Sequence, residues 1–198
     1  MLIIFWVSLS LLVYSYFVYP ILLKLLVTPK KIKLQTLSEY PSVDIIIAAY
    51  NEESCIKARI ENALQQNYQG EINIFVASDG SADKTGEIIT NFTEPCVKAF
   101  DFPENRGKIS VLNDLISQST ADYLVLTDAN TEFKEDAVDI LIRSFSGKVG
   151  AVSGELVLET DDGNQNQDGL YWRYEQLLKK YESSLGGLLG ANGAIYAI

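Results

Sequence analysis

The side chains able to do chemistry in this chain fall into short polar stretches, each closing an apolar run. Asp128-Ala129-Asn130 follows the apolar residues 123–126 and a threonine, so two oxygen-bearing side chains stand at i and i+2 where a strand would end. Such a pair suits a hard cation such as Mg²⁺ or Mn²⁺, which often takes only one or two protein carboxylates and fills its remaining positions from water and phosphate. The same residue types also form turns and caps through local hydrogen bonds, which is the alternative use of this tripeptide. Asp79-Gly80-Ser81, with Asp83 and Thr85 behind it, joins a carboxylate to a glycine that permits close backbone approach. Asp79 can accept from a pyrimidine N–H, whereas Ser81 or Asp83 can equally cap the helix that follows. Asn105-Arg106-Gly107-Lys108 sets two cations at the start of a helical pattern, where dipole and charge favour an anion unless the charges are simply solvated.

These stretches need a frame that brings them together. From Val43 onward, VDIIIAA, INIFVAS, VKAFDF and YLVLTD read as strands, and helical periodicity fills the intervals. The spacing predicts helices over residues 54–66 with Ile56, Ile60 and Leu64 on one face, over 83–90, and over 107–118 with Ile109, Leu112 and Ile116 inward. A further helix over 135–145 leads into AVSGELVLE, and DDGNQNQDG breaks the regularity as a polar loop. Repeated strand–helix–strand units imply a mostly parallel sheet with helices on both faces. In such sheets ligands bind beyond the carboxyl ends of the strands. Tyr50-Asn51-Glu52-Glu53, Asp79 to Asp83, Glu104 to Lys108 and Asp128 to Asn130 all fall at those ends.

Composition narrows the partners. The chain has 198 residues, enough for one globular unit and an anchor. Residues 2–23 are apolar and uncharged, about the length a helix needs to cross a bilayer core. No Lys or Arg precedes this run and no small-residue cleavage site follows it, so a membrane anchor over 1–27 is expected rather than a cleaved signal. Lys24, Lys30, Lys31 and Lys33 all follow the run, which places the later domain in the cytoplasm by the positive-inside rule. Residues 28–41 read as a linker and 42–198 as the globular domain. After those lysines the chain carries 12 basic groups against 26 acidic ones, so nucleic acid is not an expected partner. With no histidine, imidazole-ligated zinc and histidine-based triads are excluded, and Cys55 and Cys96 lack metal-ligand spacing and read as reduced. A helix over 170–185 repeats Leu170, Tyr174, Leu177, Leu178, Tyr181 and Leu185 on one side, as core packing or an interfacial helix would.

In this order and spacing, VDIIIAAYNEE, ASDGSADKT, ENRGK, LTDAN and GANGAIYAI resemble family 2 of the inverting glycosyltransferases, over residues 41–198. YWRYEQLLKKYES followed by GANGAIYAI is further similar to membrane polysaccharide synthases of the cellulose, chitin, hyaluronan and poly-N-acetylglucosamine type. The resemblance implies a glycosyltransferase A-type fold, the Rossmann-like fold of nucleotide-diphospho-sugar transferases, C-terminally incomplete and following an N-terminal transmembrane helix. It implies a UDP-sugar donor, with Tyr50, Asn51 and Glu53 lining the nucleoside pocket, Asp79 at the uracil and Lys108 near the nucleotide. Asp128 would meet the metal and the diphosphate. The family usually has D-x-D here, and Asn130 at its last position offers an amide oxygen without charge. Asn192 and Gly193 would approach the acceptor sugar. The general base, an aspartate in an E-D or D-D pair, is expected beyond Ile198, so no catalytic base is assigned. The activity implied is metal-assisted, inverting transfer of a sugar to a growing cell-surface polysaccharide. Alternatives are transfer of one sugar to a lipid carrier or other single acceptor, or a non-catalytic nucleotide-binding membrane subunit.

Overall fold

A computed structural model describes residues 1–29, 32–157, 170–187 and 193–198. In chain order the elements are α1 (Leu2–Val13), α2 (Tyr19–Leu26), β1 (Val43–Ala49), α3 (Ile56–Leu64), β2 (Ile72–Asp79), α4 (Thr85–Thr90) and β3 (Val97–Phe102). Then come α5 (Lys108–Gln118), β4 (Tyr123–Asp128), α6 (Ala137–Arg143), β5 (Val152–Ser153), α7 (Leu170–Ser184) and β6 (Ile195–Ala197). The chain divides into two compact units, Met1–Ile32 with Val157–Gly190, and Lys33–Leu156 with Ala191–Ile198.

The second unit is built on a six-stranded sheet of order β3-β2-β1-β4-β6-β5. β1 to β4 run parallel, and β6 lies antiparallel to both β4 and β5. The inner strands are apolar on both faces, as a sheet covered by helices on both sides requires. Val43, Ile45, Ile47 and Ala49 of β1 pack toward Ile56 and Ile60 of α3, Ile89 of α4 and Leu141 of α6. On the opposite face Ile46, Phe75, Ala77 and Leu126 meet Val111 and Leu115 of α5. Strand alternation therefore puts Asp128, two residues beyond Leu126, on the α5 face.

One expectation shifts. The buried stripe of α5 is Val111 and Leu115, with Leu112 and Ile116 flanking, whereas Ile109 is 76% exposed. Ile109 stands about 200° around the helix from Val111, so both cannot face the sheet. In the run AVSGELVLE, the described residues 151–157 include Val152–Ser153 as strand. At the next residue Gly154 donates its N–H to the Ile195 carbonyl, and a Cβ there would lie 2.4 Å from Ile195 Cγ2.

At the amino ends of the strands, the Ser42 N–H and hydroxyl both donate to Asp122 Oδ2 at 2.8 Å, and the Asp122 N–H returns a bond to Ser42 Oγ. These bonds, the hydroxyl's first, hold the Asp122 carboxyl below its ordinary range.

In the first unit, α1 and α2 join through a π-helical turn, Tyr14–Val18, into one helix over Leu2–Leu26. It is long and apolar enough to cross a membrane, and its apolar window is not buried. Within this unit the Tyr19 hydroxyl donates to Glu182 Oε1 at 2.8 Å and the Tyr174 hydroxyl to the Ser15 carbonyl at 3.1 Å, so α7 packs against that helix around residues 15–19. Leu177 and Leu185, placed on the apolar side by their spacing, stay 40% and 65% exposed.

Leu115→Ala is expected to destabilise the domain by about 2–5 kcal/mol in urea unfolding, whereas Ile109→Ala should stay within about 0.5 kcal/mol. Equal costs at both positions would contradict the helix orientation. A depressed carboxyl stabilises the fold above its ordinary value near about pH 4, and that contribution is lost as pH falls through the lower folded value. Ser42→Ala should accordingly flatten the acid limb of the stability–pH curve, and an unchanged limb would mean that Ser42 is not what depresses Asp122.

Candidate functional site

The loops after β1 and β2 are sewn together by side chains. The N–H groups of Asn51, Glu52 and Glu53 donate to Ser81 Oγ, Thr85 Oγ1 and Asp83 Oδ2 at 3.1, 2.8 and 3.1 Å. In return Ala82 donates to Asn51 Oδ1 at 2.8 Å and Lys84 to Glu53 Oε2 at 3.0 Å. Asn51 reaches both partners because it sits at φ 56, a left-handed conformation that asparagine tolerates better than most side chains. Asp83 Oδ1 also accepts the Thr85 N–H and hydroxyl. Burial raises the Asp83 carboxyl, but these bonds to Thr85 and Glu53 outweigh it and leave the group below its ordinary value. Running in both directions between the two loops, the set ties them to one another.

Asp79 ends β2 and is 3% exposed. Its two oxygens accept the N–H groups of Arg106 and Gly107, each at 2.8 Å, and so fix the turn into α5. Gly80 takes φ 64, and a Cβ there would lie 2.4 Å from the Asn105 nitrogen. Only glycine allows the two loops to approach this closely. Arg106 is not free at the helix start: its Nη2 pairs with Asp114 at 2.6 Å and its guanidinium lies 4.3 Å over the Phe102 ring.

Asp128 closes β4 on the α5 face. Lys108 Nζ, from the first residue of α5, is ion-paired with Asp128 Oδ1. Gly193 borders the same carboxylate, since a Cβ built on it would sit 3.5 Å from Asp128 Oδ2. The Thr127 hydroxyl donates to the Ala194 carbonyl at 2.7 Å and holds that turn in place. A cavity of about 410 Å³ opens beside Lys108 and Gly193, with Leu112, Leu126, Thr127 and Tyr196 completing its wall.

The structure thus brings Lys108, Asp128 and Gly193 together, residues far apart in sequence. Tyr50 stays half exposed at the end of β1, and Asn130 is exposed after β4. Asn51 and Glu53 sit at the expected edge, with side-chain oxygens bonded to the neighbouring loop. Asn192 lies outside the described residues. Sequence reading gave no role to Ser81 or Thr85 as acceptors for the β1 loop, or to Thr127; polar residues bonding across loops leave no periodic trace. Cys55 donates to Glu52 Oε2 at 3.1 Å, and burial first, then that carboxylate, pushes its thiol up to about 11.

Among the described residues no group of three or more His, Cys, Asp or Glu side chains is placed to hold a metal. The single carboxylate of Asp128 fits a cation that takes most of its ligands from phosphate and water, provided that cation displaces the Lys108 ammonium now paired with it.

The architecture is shared with a mannosyltransferase of Pyrobaculum calidifontis solved in complex with GDP-Man and Mn²⁺. The match has a TM-score of 0.76 at 23% identity and covers 96% of this chain and 54% of that one. A mostly parallel sheet of this order, with polar loops gathered at its carboxyl edge, is the glycosyltransferase A-type fold. Residues 44–193 match glycosyl transferase family 2, and the chain belongs to that family. It is 36% identical over 119 residues to the poly-beta-1,6-N-acetyl-D-glucosamine synthase of Staphylococcus aureus, a stretch covering 59% of this chain and 29% of that protein. The synthase of Staphylococcus epidermidis is 35% identical over 115 residues, or 57% of this chain and 28% of its own. The aligned stretch is thus less than a third of the length of these relatives.

Asp79→Asn would turn an amide N–H₂ toward one of two backbone N–H groups. It is expected to cost about 1–3 kcal/mol of stability, read by thermal unfolding. A neutral outcome would mean that the 104–107 turn holds itself.

Proposed function

We propose that this chain is the nucleotide-sugar-binding part of a membrane-anchored glycosyltransferase that extends a cell-surface polysaccharide from a UDP-sugar. The observation that carries this reading is the meeting of Lys108, Asp128 and Gly193 beside the 410 Å³ cavity at the carboxyl edge of the sheet. In an inverting transfer an acceptor hydroxyl attacks the anomeric carbon while the bond to the diphosphate breaks, and a carboxylate takes the hydroxyl proton. Charge then builds on the diphosphate. In a chain of net charge −10, that charge needs local cations. Lys108 would supply one by moving from Asp128 to the diphosphate. Asp128, with Asn130 as a neutral second oxygen, would hold Mg²⁺ or Mn²⁺, which offsets diphosphate charge when bound.

The nucleoside would lie over the β1 and β2 loops. Asn51 and Glu53 shape that surface by bracing it, and Tyr50 offers a half-exposed ring. Asp79 uses one lone pair of each oxygen on backbone, which leaves acceptor capacity for a uracil N–H. Gly193, with Asn192 preceding it, would border the acceptor sugar, and the Tyr196 ring gives the cavity an aromatic wall for sugar C–H groups. Residues 2–26 would anchor the domain, and the lysines that follow would keep it cytoplasmic.

Titration calorimetry tests the site. UDP should bind more tightly with Mn²⁺ than without, Asp128→Ala should abolish most of that difference, and Asp79→Ala should weaken UDP in both conditions. Equal affinity with and without metal would remove the cation from the proposal. In sealed inside-out vesicles, protease should digest the globular domain, and protection would reverse the orientation.

A further inference from the structure

Asn62 lies on α3, on the opposite face of the sheet from Asp128, yet both atoms of its amide bind one residue of the loop that follows β4. The Phe133 N–H donates to Asn62 Oδ1 at 2.8 Å, and Asn62 Nδ2 donates to the Phe133 carbonyl at 2.8 Å. One turn earlier, Arg59 Nη1 donates to the same Oδ1 at 2.5 Å, and its guanidinium lies 3.9 Å over the Phe133 ring. An arginine N–H can be received only by the oxygen of the amide, so Arg59 fixes which way Asn62 faces. The next turn repeats the tie: Gln66 Nε2 donates to the Lys134 carbonyl at 3.0 Å, and the Val138 N–H donates to Gln66 Oε1 at 3.2 Å. Only residues 129–132 remain between this anchored segment and Asp128, with Ala129 itself buried.

Arg59 is a costly way to fill a core. It is 3% exposed, burial pulls its guanidinium down to about 10, and Nε and Nη2 have no hydrogen-bond partner among the described residues. For stability alone, an apolar side chain of similar volume would serve at least as well. A half-paired buried cation calls for another reason, and what it does meet lies on this tie: the Asn62 oxygen it orients, the Phe133 ring and the charge of Glu132.

We propose that Asn62, oriented by Arg59, is a positioning residue for the Asp128–Asn130 segment. By fixing Phe133 it holds the strand-end oxygens ready for cation and diphosphate, so that binding does not first have to order the loop. This rests on the reading of Asp128 as the cation-binding carboxylate. The β1 and β2 loops that would receive the nucleoside make their own bonds and do not depend on Asn62.

The experiment is UDP calorimetry on the full chain, with and without Mn²⁺. Asn62→Ala is expected to lower the Mn²⁺-dependent gain in UDP affinity by about tenfold, the usual scale for a residue supporting a metal ligand, and to leave metal-free UDP affinity unchanged. In an Asp128→Ala background the same substitution should cost nothing further, because the two act through one element. Arg59→Met, which keeps the apolar stem over Phe133 and removes only the fork, should reproduce the loss in weaker form and provides the test if Asn62→Ala does not fold. An undiminished Mn²⁺ gain in either variant would overturn the inference while leaving the site intact. Equal losses with and without metal would reduce Asn62 to a general structural role. No Mn²⁺ gain in the unsubstituted chain would remove the underlying reading as well.

Discussion

Backbone N–H groups at the carboxyl edge of a parallel sheet have no ladder to join once the strands end. Each must find an acceptor. Here the acceptors are side-chain oxygens from another segment: Ser81, Thr85 and Asp83 for the β1 loop, Asn51 and Glu53 for the β2 loop, Asp79 for the turn into α5, and Asn62 for the loop after β4. No loop is held by its own residues alone. The ligand edge is consequently one interlocked unit, and polar residues near a nucleotide site are as much its framework as its contacts.

The two faces of the sheet divide the labour. α5 brings Lys108 to Asp128 on one face, and on the other Asn62 of α3 and Gln66 just beyond it anchor the continuation of β4. Strand alternation makes this possible, since consecutive residues of β4 address opposite sides. Thr127 points one way and holds the turn at Ala194, and Asp128 points the other and meets Lys108. A single strand end thus connects the segment proposed to carry the cation with the segment proposed to face the acceptor.

Electrostatics sets the terms for any phosphate ligand. With 26 acidic groups against 16 basic ones, the protein as a whole repels an anion, so binding depends on a few placed charges. Arg106 is withdrawn by Asp114 and Phe102, which leaves Lys108 as the cation of its loop turned toward the strand-end carboxylate. The ammonium on Asp128 marks a place where positive charge is already favoured.

Much of this was legible in the sequence. Continuous apolar runs of strand length separated by helical periodicity dictate a parallel sheet with both faces covered, and the topology then sends the polar stretches to one edge. The expected helices over 54–66 and 107–118 appear as Ile56–Leu64 and Lys108–Gln118, shortened because capping residues share the pattern of the helix they end. The inward face of α5 was not legible: Ile109, Val111, Leu112 and Ile116 are all apolar, and only the register against Ile46 and Phe75 decides which are covered. Nor were the pairings of Asn51 with Ala82, Asp79 with Gly107 or Asn62 with Phe133. Local chemistry fixes that a residue can donate or accept, and the chain path between 28 and 71 residues later fixes to whom. The sequence by itself determined the element types and the family motifs, because periodicity and short-range spacing are local properties. Tertiary structure alone decided which carboxylates brace a loop and which one faces a cation, because that depends on which N–H groups the folded chain leaves unpaired.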